Sequence, residues 1–248
     1  MPEAPFKPRE RKFRLPFPIE SAEARRQVTD NYKKAIDESD WDLLDDVFTA
    51  GPDHRPDYKA LASENAAKYF PSKAVDMLVS ELGRNNEAAA TIGLLNLEGI
   101  TAASPAAIHA GAIDKLLSYL HPHVDVHDRT RQWTAELLAK IVAHKKEVPS
   151  EDMLIGRAAQ NITHRHSGTS IAAMNLLITA AKHSKSPEKY SRYIDQLESA
   201  ITEKKESVGM VLANLKDFAD NGPEGQLKEK VRQLHEKARR LFEESRRR

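Results

Sequence analysis

The sequence predicts an all-α chain in which a small helical unit recurs about four times and stacks into an α-solenoid. Three observations carry that expectation. Apolar residues return at three- and four-residue spacing along most of the chain, the period of a helix with one buried face. The stretch Ser72–Leu82 (SKAVDMLVSEL) matches Ala110–Leu120 (AGAIDKLLSYL) at an offset of 38 residues. Hydrophobic residues make up 40% of the 248, with aromatics only 6% and ten glycines, a balance that suits helices packed through Ala, Leu, Ile and Val.

The clearest unit is Ser104–His144, which reads as three pieces: Ser104–Ala110, Gly111–Leu120, and a longer helix from about Val126 to Ala143. In the paired stretches, Val75, Leu78, Val79 and Leu82 fall on Ile113, Leu116, Leu117 and Leu120. Helices Asn86–Leu97 and Asp128–Ala143 follow the two copies. A third unit starts at Ser150 and carries Met153, Leu154, Ala158 and Ile162, then Ile171, Met174, Leu177 and Ile178. A fourth opens with Ser186 as cap and Pro187 as first helical residue, then Tyr190, Ile194, Leu197 and Ile201. Its second helix holds Val208, Val211, Leu212, Leu215 and Phe218, and Asn221-Gly222-Pro223 stops it.

Before the repeats, residues 1–20 hold five prolines and no helical period, which predicts an extended arm. Phe13, Leu15 and Phe17 alternate there, as a strand laid in a groove requires, so the arm either packs on its own domain or docks on another chain. Residues 21–56 form a helical cap: Ser21 starts a helix through about Glu38, and Ser39 with Asp42 opens a short helix Trp41–Thr49. The repeats occupy 57–222, beginning with a helix from Asp57 to about Tyr69. In the basic tail, 223–248, Leu227, Val231, Leu234, Ala238 and Leu241 run at alternating 4,3 spacing; two heptads are few for a coiled coil, and capping the open end of the stack is the expected use.

Net charge is +1 but unevenly spread. Residues 1–26 hold seven basic and four acidic side chains, and 223–248 hold nine and five, leaving an acidic body. Solvated ends are the plain reading, with acidic partners the alternative. The absence of cysteine excludes disulfides and thiolate metal sites. No apolar run reaches the roughly 18 residues that span a bilayer, and the first twenty residues lack the apolar core of a signal peptide. A cytoplasmic or nuclear protein is the expectation.

Ile-His-Ala-Gly-Ala-Ile-Asp-Lys-Leu-Leu-Ser-Tyr-Leu at 108–120 resembles the turn between the first and second helices of an armadillo repeat, where Gly111 would make the sharp bend. The resemblance covers roughly Asp57–Asn221, and the later units drift toward HEAT-like pairs. It implies a right-handed armadillo/HEAT-like solenoid. In peptide-binding armadillo proteins an Asn ladder, with a Trp one turn earlier, clamps an extended segment. Asn96 and Asn214 match the ladder, while Lys140 and Thr179 stand there in the middle units. The matching Trp positions fall near Ile92, Glu136, Asn175 and Met210, so nuclear-signal recognition is not implied. The concave face would then carry Asn96, Glu136, Lys140, Thr179, Asn214 and Lys216.

Other clusters are weaker pointers. His121, His123 and His127 have ligand-like spacing, yet structural zinc sites normally include thiolates, and a solvent-facing loop is the plainer reading. His164 and His166 make a second such loop; on one edge with the first, it would form a pH-sensitive patch. Asp40, Asp42, Asp45 and Asp46 spray outward from a helix rather than meeting in a cleft. Asn161-Ile162-Thr163 matches a glycosylation acceptor but falls inside a helix. No phosphate loop, nucleophile elbow or His-Glu-x-x-His helix is present. The expectation is a non-catalytic scaffold without cofactor, binding an extended segment of a protein partner or a neighbouring subunit. A nucleic-acid-binding HEAT-like protein, using its basic ends on phosphates, is the alternative.

Overall fold

The computed structural model describes residues 22–38, 75–83, 87–203 and 209–246, and they are all-helical. In chain order the helices are α1 (Ala22–Asp37), α2 (Val75–Leu82), α3 (Glu87–Ala103), α4 (Ala110–Tyr119), α5 (Asp128–Lys145), α6 (Glu151–Ile162), α7 (Ser167–His183), α8 (Ser191–Glu203), α9 (Gly209–Asn221) and α10 (Gln226–Arg246). Short 3-10 turns, Pro105–Ala107 and Pro187–Tyr190, precede α4 and α8. The expected helices at Trp41–Thr49 and Asp57–Tyr69, and the arm with Phe13, Leu15 and Phe17, lie outside the described residues.

Packing follows the apolar pattern. Val75, Leu78, Val79 and Leu82 on α2, and Ile113, Leu116, Leu117 and Leu120 at the aligned positions of α4, are all buried. The contacts alternate along the chain: α2 meets α4, α4 meets α6, and α6 meets α8, while α3 meets α5, α5 meets α7, and α7 meets α9. Helices α2, α4 and α6 also pack on the helix that follows each of them. Gly93 lets α3 lie close on α2, since a β-carbon there would sit 2.7 Å from the Leu78 carbonyl oxygen. Helix α10 covers α8 and α9, burying Leu227, Val231, Leu234 and Ala238, so its 4,3 stripe is satisfied within the chain.

Side-chain hydrogen bonds repeat the same spacing. Tyr119 Oη donates to the Val79 carbonyl at 2.9 Å, 40 residues away. Asn161 Nδ2 donates to the Leu120 carbonyl at 2.8 Å, 41 residues away. Lys237 pairs with Glu198 at 2.5 Å, 39 residues away. Each ties one helix pair to the next.

Helix α7 is buried on most of its sides, through Ile171, Ala172, Ala173, Met174, Leu176, Leu177, Ile178, Ala180 and Ala181. Packed on α5, α6 and α9, it leaves only a narrow polar stripe, Asn175, Thr179 and Lys182, beside its apolar sides.

One local expectation changes. Gly111 does not make the bend: it lies in the first turn of α4, and a β-carbon there would meet nothing nearer than His109 Nδ1 at 3.5 Å. The chain turns earlier, at His109, whose extended backbone and ring cap the helix. Ser150 stands at the N-cap of α6 in left-handed conformation, and its hydroxyl reaches Asp114 Oδ1 at 2.6 Å instead of capping.

Candidate interaction surface

Helices α3, α5, α7 and α9 carry the residues expected to line a binding face. Glu136 and Lys140 lie one turn apart on α5, Asn175 and Thr179 on α7, and Met210 and Asn214 on α9, so helical spacing puts each pair on one face. Two ion pairs tie this strip together. Lys140 Nζ meets Glu98 Oε1 of α3 at 2.5 Å, and Lys182 Nζ meets Asp217 Oδ2 of α9 at 2.5 Å. The hydrogen bond from Lys182, helped by one from Asn221, holds the Asp217 carboxyl below its ordinary range. Within α5, Gln132 Nε2 donates to Glu136 Oε1 at 2.8 Å. Between α7 and α9, Asn175 Nδ2 reaches the Met210 carbonyl at 3.4 Å, and the Met210 side chain is 65% exposed.

The expected residues divide. Glu136, Thr179 and Asn214 are half-buried and Lys140 is exposed, consistent with a surface strip. Asn96 does not belong to it, because it is 0% exposed on α3 and no ligand can reach it. Lys216 is exposed but sits two residues beyond Asn214, about 200° round the helix, and so presents to another side. Reasoning from the resemblance missed Glu98, Lys182 and Asp217. Lys182 stands 42 residues after Lys140, and that offset was the available signal.

A second cluster lies where α4 leads to α5 and α6 leads to α7. Arg131, nearly buried on α5, donates to three carbonyls of the first connection: Tyr119 at 3.0 Å, His121 at 2.7 Å and Val124 at 3.1 Å. His164 of the second connection brings Nε2 to 3.6 Å from Asp128 Oδ1. The two histidine loops therefore do share one edge. Burial first, then neighbouring arginines, pushes the His164 and His121 imidazoles below their ordinary range, with Asp128 partly opposing this at His164. Although the His121 and His123 rings lie 5.2 Å apart, His121, His123 and His127 do not converge with other ligands: among the described residues no group of three or more His, Asp or Glu side chains is disposed to hold a metal ion. Asn161 is buried with its amide donating to Leu120 and Arg157 carbonyls, which closes it to glycosylation.

A third hub is Glu151, at the start of α6. It accepts from Ser184, from Lys189 Nζ at 3.2 Å and from Tyr190 Oη at 3.1 Å, and burial with this carboxylate raises the Tyr190 phenol well above its usual range. It anchors the 3-10 turn before α8 to α6. Among the described residues no helix is long and apolar enough to cross a membrane. No protein-family model, curated protein or solved structure matches the chain.

Proposed function

We propose that this protein is a non-catalytic interaction scaffold, an armadillo/HEAT-like solenoid that binds an extended partner segment along the α5–α7–α9 strip. The observation that carries the reading is the alternating contact order, α3 to α5 to α7 to α9 with α2, α4, α6 and α8 in parallel. Stacked helix pairs of that kind offer long surfaces on which many weak contacts sum. The strip supplies the right groups: half-buried amides and hydroxyls at Asn175, Thr179 and Asn214, and one exposed apolar side chain, Met210. Its lysines favour a polypeptide over a nucleic acid, since Lys140 and Lys182 are each neutralised by a carboxylate and leave little for phosphates.

The test is affinity capture with the full chain and with Lys140→Glu combined with Asn214→Ala, each verified as folded by circular dichroism. The double variant loses the partner captured by the unaltered protein; equal capture by both removes the strip. Gel shifts with duplex and single-stranded nucleic acid over a salt series give the competing outcome, a steep salt dependence that survives the strip variant.

A further inference from the structure

Histidine is not among the favoured N-cap residues, yet His109, His127 and His166 cap α4, α5 and α7. Each accepts a backbone N–H on Nδ1: His109 from Ala112 at 3.2 Å, His127 from Arg129 at 3.2 Å, and His166 from Thr169 at 3.2 Å. Two more rings hold the loops leading into α5 and α7 in the same manner. His121 Nδ1 accepts from the His123 N–H at 3.1 Å, and His164 Nδ1 accepts from the His166 N–H at 3.1 Å. An Nδ1 that accepts must be unprotonated, so each neutral ring carries its proton on Nε2. The next proton can go only to Nδ1, the atom making the bond. It would also set a positive charge at the positive end of α5 or α7.

We propose that the edge formed by His121–His127 and His164–His166 is a proton-operated latch. Above the imidazole range, neutral rings hold the first turns of α5 and α7 and the loops before them. Below it, the acceptors are lost one after another and both loops let go, while the buried side chains Leu137, Leu138, Ile141 and Val142 keep their packing. The loops act as one unit because they are joined: Thr169 Oγ1 donates to the Asp128 carbonyl at 2.9 Å, and His164 lies beside the Asp128 carboxylate.

The arginines facing the rings oppose protonation and move it to lower pH. Arg131 faces both His121 and His164, Arg157 of α6 faces His121, and Arg165 faces His164. Asp128 from α5 favours the charged form of His164, and Asp125 lies in the first loop. Arg129, beside His127, is engaged over the Trp133 ring at 5.3 Å. Each proton taken up raises the charge felt by the remaining rings, as His123 and His166 do for their neighbours.

The experiment is nuclear magnetic resonance on the full chain between about pH 7.5 and pH 5.5, a span that brackets the ordinary imidazole value. At the upper end, imidazole 15N shifts should report the Nε2–H tautomer for His127 and His166. At the lower end, amide exchange at Arg129 and Thr169, corrected for the intrinsic effect of pH, should accelerate by about tenfold or more, as loss of a cap implies. Amides of Leu137–Val142 should not change. In the variant His127→Asn/His166→Asn, whose caps cannot titrate, Arg129 and Thr169 should keep their protection at the lower pH. An Nδ1–H tautomer at the upper pH, unchanged exchange on acidification, or equal acceleration in the variant would each overturn the latch. If the variant does not fold, the tautomer and exchange in the unaltered protein decide alone.

Discussion

The histidine edge and the lysine–carboxylate strip are built on the same helices, α5 and α7, yet they are held by opposite chemistry. At the edge, neutral imidazoles accept backbone N–H groups, and one nearly buried guanidinium gathers three carbonyls. On the strip, full charges pair across neighbouring helices at half-exposed positions. An edge made of backbone-directed bonds fixes loop conformation. A strip of water-screened ion pairs contributes little to stability. The first therefore fixes shape, and the second is the face proposed for recognition.

The widest gap between them should appear in Arg131→Met. Removing three charge-assisted bonds to backbone carbonyls should cost about 3 kcal/mol in urea denaturation; a loss as small as that of a strip variant would erase the contrast. Asn161→Ala comes next, at about 2 kcal/mol by the same measurement, because the Leu120 carbonyl at the end of α4 loses its buried donor.

Acid separates the two regions more finely. The folded His164 and His121 values lie below the unfolded one, so their contribution is complete above about pH 6.5 and falls as pH drops from there through the folded values. Asp217 also has a lowered value, so its contribution persists above about pH 3.9 and is lost as pH falls through the folded value beneath that. His183, at the strip end of α7, is lowered first by burial and shares the window of the edge. The comparison is thus cleanest in a His183→Gln background. There the urea midpoint should decline between about pH 7 and pH 5, by less than in Arg131→Met; a flat profile would mean that the edge does not titrate with folding. The smallest effect belongs to the strip: a double-mutant cycle on Lys182→Met and Asp217→Leu should return a coupling of about 0.5 kcal/mol that shrinks in about 1 M salt.

The helices were legible in the letters to within a few residues at most ends. The stretch read as Val126–Ala143 is Asp128–Lys145, displaced because the His127 ring caps the N-terminus and left-handed Lys146 closes the other end. Asn86–Leu97 extends to Ala103 because Gly99 and Ile100 are buried and carry the packing onward. The strip was legible in part. Counting from a resemblance named Glu136, Lys140, Thr179 and Asn214, which are half-buried or exposed, but gave no measure of depth, so Asn96 was placed on a surface it does not reach. The capping histidines went unread because loop histidines are usually solvated, and nothing in a sequence reveals which ring nitrogen faces a helix end.

What the amino-acid order determined unaided is which side of each helix goes inward, because a 3.6-residue period converts spacing directly into direction. Which helices meet, and at what offset, was decided only when the faces closed on one another. Lys140 finds Glu98 and His164 finds Asp128 through side-by-side packing of α3, α5 and α7. Such contacts join residues far apart in the chain, and their geometry depends on the volume of everything packed between the helices.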